Sequence, residues 1–317
     1  MTFLQAIVIG IIQGVAELFP ISSLGHTVII PAFIGGSWSR LVTQQASAES
    51  PYLAFVVGLH VATALALLTY FRRDWVRIIK GFFSSLAKRR AETADERAAW
   101  FVIVATIPVG ILGLSLEHQL RTLFAKPLAA ATFLTINGLI LLGGEWLRRK
   151  GRANPQARPS AAADGRVGGG GALPSEPGAR VGTDAHDPEV LASLRLRDAV
   201  VVGVAQSAAL LAGISRDGIC MVTGLVRGLS YEDAARFAFL LSAPPILLAG
   251  LLKIPDLFGP LGNGIRGQVL AASATAFVMA LLSVRFLLRY FRTRGLTPFA
   301  CYCLALGSAG IVYFGIQ

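Results

Sequence analysis

Apolar positions run along this chain in blocks too long for strands and too unbroken for helices lying in water. Six of them, 52–71, 99–116, 128–147, 235–254, 268–288 and 297–316, come to about the 20 residues that carry a helix across a bilayer. Two more stretches, 3–34 and 198–228, are apolar but interrupted by polar residues, Gly or Pro near their middles. Each is too long for one span and too broken for two. The pattern predicts a helix–loop–helix that enters the membrane and turns back, which a bilayer tolerates only where protein or water covers the irregular backbone.

The positions of Lys and Arg orient these spans. Arg72, Arg73, Arg77, Lys80, Lys88, Arg89, Arg90 and Arg97 fall in the 72–98 loop, which is therefore expected in the cytoplasm. Arg148, Arg149 and Lys150 close the third span, and Arg285, Arg289, Arg292 and Arg294 mark the end of the fifth. The intervening loops, 35–51 and 255–267, hold only Arg40 and Arg266. Residues 151–192 differ in kind: Gly, Ala, Pro and Arg dominate, with a glycine run at 168–171 and no apolar period. They predict a disordered cytoplasmic linker between a first membrane half, 1–150, and a second, 193–317.

Composition narrows the class. Apolar residues form 54% of the 317 positions and charged residues 15%, against roughly 25% charged in a soluble protein. The chain is thus expected to be an all-α polytopic membrane protein. A net charge of +11 invites a nucleic-acid partner, but the charges cluster between spans, so none is expected. No basic residue precedes Arg40, so the opening stretch is not expected to be an ordinary secretory signal. Cys220, Cys301 and Cys303 show neither metal-ligand spacing nor a disulfide framework, and are expected to be packing residues. His118 and His186 read as structural, as does His60, inside a span near Thr63.

An internal repeat marks the place where chemistry concentrates. Residues 8–26, VIGIIQGVAELFPISSLGH, align without a gap on 201–219, VVGVAQSAALLAGISRDGI. Identities fall at Val8/Val201, Gly10/Gly203, Gln13/Gln206, Ala16/Ala209, Leu18/Leu211, Ile21/Ile214, Ser22/Ser215 and Gly25/Gly218. Three spans separate the copies, so the second is expected to be inverted. Inverted repeats with broken helices place their shared site near the midplane. Small residues at Gly10/Gly14 and Gly203/Ser207 would let these helices pack closely.

The first tip offers Gln13, Glu17, Ser22, Ser23 and His26, and the second Gln206, Ser215, Arg216 and Asp217. Charges at such depth are costly and usually face a cavity. Gln13 and Glu17, four apart, share a helical face, and Pro20 disfavours helix continuation before the serines. Ser hydroxyls, turn amides and Arg216 suit a phosphate or other oxyanion, since guanidinium meets phosphate in bidentate geometry. His26 could serve as nucleophile or proton donor, with Glu17 orienting it or holding a divalent metal. The two tips are expected to meet in one cavity opening to the outer face, with Glu17, His26 and Arg216 within a phosphate's reach of one another.

Gln13-Gly-Val-Ala-Glu17 followed by Pro20-Ile-Ser22-Ser23-Leu-Gly25-His26 resembles the first signature of the bacitracin-resistance type of undecaprenyl pyrophosphate phosphatase. Gly213-Ile-Ser215-Arg216-Asp217-Gly218 resembles its second. The resemblance covers nearly everything but the linker. It implies a multi-pass enzyme of the bacterial cytoplasmic membrane, removing one phosphate from a polyprenyl diphosphate lipid on the extracytoplasmic side, so that the carrier is recycled for wall synthesis. It implies a divalent cation, Mg2+ or Ca2+, and a catalytic set of Glu17, Ser23, His26 and Arg216. Gln13, Ser22, Gly25, Ser215 and Gly218 would contact the substrate. A homodimer is one assembly the chain allows.

The second signature usually reads Pro-Gly-x-Ser-Arg-Ser-Gly-x-Thr. Here Ala212, Asp217 and Cys220 replace its Pro, Ser and Thr, and Leu24 stands in the first signature where Thr is common. A carboxylate beside a diphosphate needs a positive partner. An ion pair of Asp217 with Arg216 is the expected solution, and a cation bridging Asp217 or Glu17 to the substrate the alternative. Type-2 phosphatidic acid phosphatases share Ser-Leu-Gly-His and Ser-Arg, but no His follows Arg216 here. The stronger rival is a polyprenyl-phosphate translocase without hydrolysis, whose architecture would look the same.

Overall fold

A computed structural model describes residues 1–43, 51–116, 119–120, 126–153 and 196–316. All its regular structure is helical among the described residues. The six long apolar blocks become α4 (Pro51–Tyr70), α6 (Ala94–Ser115), α7 (Pro127–Ala153), α10 (Tyr231–Phe258), α11 (Arg266–Tyr290) and α12 (Thr297–Gly315). Each contains a window long and apolar enough to cross a bilayer. Large apolar side chains such as Leu251, Leu270 and Phe258 stand more than two-thirds exposed. An outer surface of that kind is stable against lipid, not water.

The two interrupted stretches form helix–turn–helix units, as their pattern predicts. In the first, α1 (Phe3–Ala16) and α2 (Ser23–Ile34) flank a turn at 17–22. Thr2 and Gln5 start α1 with reciprocal side chain–backbone bonds. In the second, α8 (Leu196–Ser207) passes through a short 3-10 turn, Ala208–Leu210, before α9 (Arg216–Val226). All four helices are too short to span a bilayer.

Two loop expectations are corrected. The basic 72–98 segment carries a helix, α5 (Arg72–Lys88), closed by Arg89 in left-handed geometry. Ile78, Gly81 and Ser85 recur at helical spacing on its buried face, a period hidden beneath the charge count. Within 35–51, Gly36–Thr43 forms α3. The linker expected over 151–192 loses its first three residues to the last turn of α7; the rest of it, with His118 and His186, lies outside the described residues.

Packing brings the broken stretches to the centre. α1 lies along α11, and α8 lies along α6. The expected close approach is present in both pairs: a Cβ at Gly10 would sit 2.6 Å from the Ala272 carbonyl oxygen, and one at Gly203 2.6 Å from that of Ala105. α7 pairs with α12 and α4 with α10. The principal core runs through these contacts and includes Leu18 and Ile21 of the first turn together with Ala212 before α9. Both turns therefore sit inside the helix bundle.

Candidate active site

Each turn exists because a serine ends it. Ser22 Oγ accepts from the Gly25 amide at 3.3 Å and caps α2; Ser215 Oγ accepts from the Gly218 amide at 3.1 Å and caps α9. The repeat aligns these two caps residue for residue. Ser22 reaches its position with φ of +69°, a rare value for a residue with a Cβ.

The turns are joined as well as adjacent. Ser22 Oγ also accepts from the Gly213 amide at 3.2 Å. Asn137, fully buried in α7, holds both: its Nδ2 donates to the Pro20 carbonyl and its Oδ1 accepts from the Ser215 amide, each at 2.9 Å. A Cβ on Gly25 would come within 2.9 Å of the Gly213 Cα. Only glycine permits that approach.

Glu17 is the focus of the polar groups. It caps the end of α1, and its side chain is 7% exposed. Gln13 Nε2 donates to Oε2 at 2.9 Å, confirming the shared helical face, and Ser23 Oγ donates to the same oxygen. His60 Nε2 stands 3.3 Å from Oε2 and 3.4 Å from Ser23 Oγ. Arg216 Nη1 approaches the other oxygen, Oε1, at 4.0 Å. Ser23 and Arg216 occupy equivalent positions of the repeat, and they converge on this one carboxylate from opposite turns. His60 belongs to this cluster rather than to the scaffold. Its Nδ1 donates to the Val56 carbonyl, which leaves Nε2 facing Glu17 and Ser23.

His26 does not join that cluster directly. Its Nδ1 donates to the Ser22 carbonyl at 2.7 Å, and its Nε2 meets the Tyr302 hydroxyl at 2.8 Å, with the two rings stacked 5.6 Å apart. Asp217 is also placed otherwise than expected. No ion pair joins it to Arg216 among the described residues. Its Oδ1 accepts from the Ser242 hydroxyl, while Arg216 Nη1 donates weakly, at 3.4 Å, to the Ser242 carbonyl. Successive residues on a helix point about 100° apart, so adjacency in sequence does not give contact. Gln206 turns away to the Ala105 carbonyl.

Gln13 Oε1, Arg216 Nε and Asp217 Oδ2 are buried without a hydrogen-bond partner. Such groups are rare in folded proteins and costly. Three of them around one pair of turns suit a site shaped for a polar, charged ligand. Among the described residues no three of His, Cys, Asp and Glu are grouped to hold a metal ion by themselves. Magnesium, however, commonly takes one or two carboxylates and completes its shell with phosphate oxygens and water. Glu17 fits that role through Oε1, since its three nearest donors all address Oε2.

Asn137, His60, Ser242 and Tyr302 carry the site from other helices and have no signature of their own in the sequence. His60 and Asn137 were open to suspicion only as isolated polar residues within apolar spans.

The chain matches the family described as bacitracin resistance protein BacA over residues 6–309. It is 54% identical to undecaprenyl-diphosphatase 2 of Frankia alni, over 100% of this chain and 99% of the relative. Undecaprenyl-diphosphatase of Mycolicibacterium paratuberculosis is likewise 54% identical, with the same coverage. Undecaprenyl-diphosphatase 2 of Chromobacterium violaceum is 40% identical, over 99% of both chains.

Proposed function

Since the chain belongs to the bacitracin resistance protein family, we propose that it is a membrane undecaprenyl-diphosphatase in which Ser23 is the nucleophile. The observation that carries this reading is the Ser23 hydroxyl bonded to the Glu17 carboxylate, with Arg216 on that carboxylate's other side. Ser23 Oγ attacks the terminal phosphorus as its proton passes to Glu17, and the lipid monophosphate departs. The proton leaves Glu17 with the lipid phosphate; water then attacks the phosphoserine, giving a proton to Glu17, which returns it to Ser23 Oγ as the phosphorus–Oγ bond breaks and phosphate leaves. Arg216 holds the charge on the phosphoryl oxygens through both steps. Its unpartnered Nε supports this role, because the substrate would supply the missing acceptor.

A divalent cation, Mg2+ or Ca2+, would be held by Glu17 and the diphosphate, and would supply charge neutralisation. His26, pinned to the Ser22 carbonyl, fixes the strained residue beside the nucleophile and acts as a positioning group. Ser22, Ser215, Gly25 and Gly218 form the turns against which phosphate oxygens rest. The halves 1–150 and 193–317 are proposed to be inverted copies, which the matching pairs α1–α11 and α8–α6 support. The Lys and Arg distribution supports a cytoplasmic position for the 72–98 segment, and the site is proposed to open to the extracytoplasmic side of the cytoplasmic membrane, as the family resemblance implies.

Phosphate release by purified protein in detergent, where no second compartment exists, tests the reading. Ser23→Ala and Arg216→Ala should each lower turnover by 10²-fold or more, about 2.7 kcal/mol of transition-state stabilisation, with Arg216→Lys recovering only part. A protein that moves lipid between leaflets yet releases no phosphate would establish the translocase instead. Near-normal turnover in Ser23→Ala would pass the nucleophile's role to His26 or to water.

A further inference from the structure

α12 meets the first turn through two successive residues. Cys303 lies against one end of it, with Sγ 4.0 Å from the Pro20 carbonyl oxygen and 3.4 Å from Asn137 Nδ2. Tyr302 reaches the other end through His26. Tyr302 is 43% exposed, yet its hydroxyl is bonded to a side chain that is 2% exposed. A tyrosine at the edge of a bundle ordinarily keeps its apolar ring inside and its hydroxyl at the wet end. This one is held inward, with its ring stacked on the imidazole at an interplanar angle of 8°.

The direction of each bond follows from its partners. The Ser22 carbonyl can only accept, so His26 Nδ1 carries the hydrogen. A neutral imidazole protonated there has only a lone pair at Nε2, and the Tyr302 hydroxyl donates to it at 2.8 Å. The bonds therefore run one way, from Tyr302 Oη to His26 Nε2 and from His26 Nδ1 to the Ser22 carbonyl. That carbonyl also accepts from the His26 backbone amide at 3.3 Å. It shares a planar peptide group with the Ser23 amide, so an imidazole that fixes the carbonyl fixes the plane from which Ser23 departs. Without the tyrosine hydroxyl, only the Ser22 bond would set the tilt of the ring, about a torsion whose minimum is broad.

We propose that Tyr302 is a positioning residue for phosphate transfer. Its hydroxyl sets the orientation of His26 and, through the Ser22 carbonyl, that of the Ser23 hydroxyl. Tyr302 lies 276 positions from His26 and outside both signature segments. The proposal rests on Ser23 being the nucleophile. Its consequence is specific: removing one oxygen that is bonded to His26, and not to Glu17, Ser23 or Arg216, slows the chemistry without weakening substrate binding.

Tyr302→Phe keeps the stacked ring and removes only the hydroxyl. With purified protein in detergent, kcat for phosphate release should fall roughly tenfold, equivalent to about 1.4 kcal/mol and within reach of one buried hydrogen bond. KM should stay within about twofold, because the lost interaction serves the transition state. In a His26→Ala background, slower than the parent but measurable, the same substitution should have no further effect, since the two side chains act as a unit. A magnetic-resonance readout is independent of turnover. With isotope-labelled histidine, the Nε2 nitrogen signal of His26, assigned by its loss in His26→Ala, should move to higher frequency in Tyr302→Phe while the proton stays on Nδ1. Turnover close to the parent's, a raised KM with unchanged kcat, or a full tenfold loss repeated in the His26→Ala background would each overturn the proposal. So would an unmoved resonance, or a His26→Ala protein with no turnover at all, which would put the imidazole in the chemistry itself. Undiminished phosphate release by Ser23→Ala, with the resonance shift intact, would instead sink the reading of Ser23 as nucleophile and leave the Tyr302–His26 bond standing.

Discussion

Asn137→Ala is the sharpest perturbation of the way the two turns are held. The side chain makes two 2.9 Å bonds, one to each turn, and is inaccessible to solvent. Interhelical side-chain bonds in membrane proteins average about 0.6 kcal/mol, which sets a floor near 1 kcal/mol for the pair. Leaving a buried partner unsatisfied costs about 1–3 kcal/mol each, a ceiling near 6 kcal/mol. The Ser215 amide belongs to a turn and has no helical partner to fall back on, and the Pro20 carbonyl keeps only the weak Cys303 thiol donor at 4.0 Å. The middle of the range therefore applies, about 3–5 kcal/mol. If that loss falls on the joined arrangement of the turns, turnover drops by 10²-fold or more, at tenfold per 1.4 kcal/mol. The assay is phosphate release in detergent alongside thermal unfolding of the same preparation. Asn137→Asp separates hydrogen bonding from volume: it is the same size and still accepts from Ser215, but sets a carboxylate oxygen against the Pro20 carbonyl. It should be no better than Ala. Turnover within twofold of the parent in Asn137→Ala, with an unchanged unfolding temperature, would refute the reasoning, as would full activity in Asn137→Asp.

Gly25→Ala should lower turnover by at least tenfold, because its Cβ would meet the Gly213 Cα at 2.9 Å and push the turns apart; unaltered kinetics would show that the turns can shift without consequence. Asp217→Ser should raise the unfolding temperature by a few degrees while keeping activity, because it removes a buried carboxylate oxygen with no partner. A steeper requirement for magnesium or calcium in that variant would make Asp217 a cation ligand and sink this account. Chelation of divalent cations should abolish phosphate release in the parent protein, reversibly on adding magnesium; activity in excess chelator would remove the cation from Glu17.

Spans and broken stretches were legible because hydropathy is a local property, readable window by window. The serine caps were legible for the same reason, since a cap is written within four residues. α5 was misread because the eight cations of 72–98 masked a buried face of three small or apolar residues. The partner of Arg216 was misread because proximity along the chain was taken for proximity in space. Arg216 turns to Glu17, 199 positions earlier, while Asp217 turns to Ser242. The roles of Asn137 and His60 were not legible. Each is a single polar residue in an apolar helix, and only the packing of α7 and α4 against the turns gives it a role.

The Ser22 cap has a consequence for how the molecule is made. One of the two amides it satisfies belongs to Gly213, 191 positions further along the chain. The Pro20 carbonyl waits less long, for Asn137, which arrives with α7. A ribosome thus delivers the first half to the membrane before the Gly213 amide that its turn needs has been made. The last donor arrives only once α8 and the residues after it have been inserted. Biosynthesis would pass through a stage in which the N-terminal half is embedded but its catalytic turn is unformed, and the nucleophile would be assembled late, when the second half docks. An enzyme arranged in this way cannot act on lipid before its second half has begun to insert.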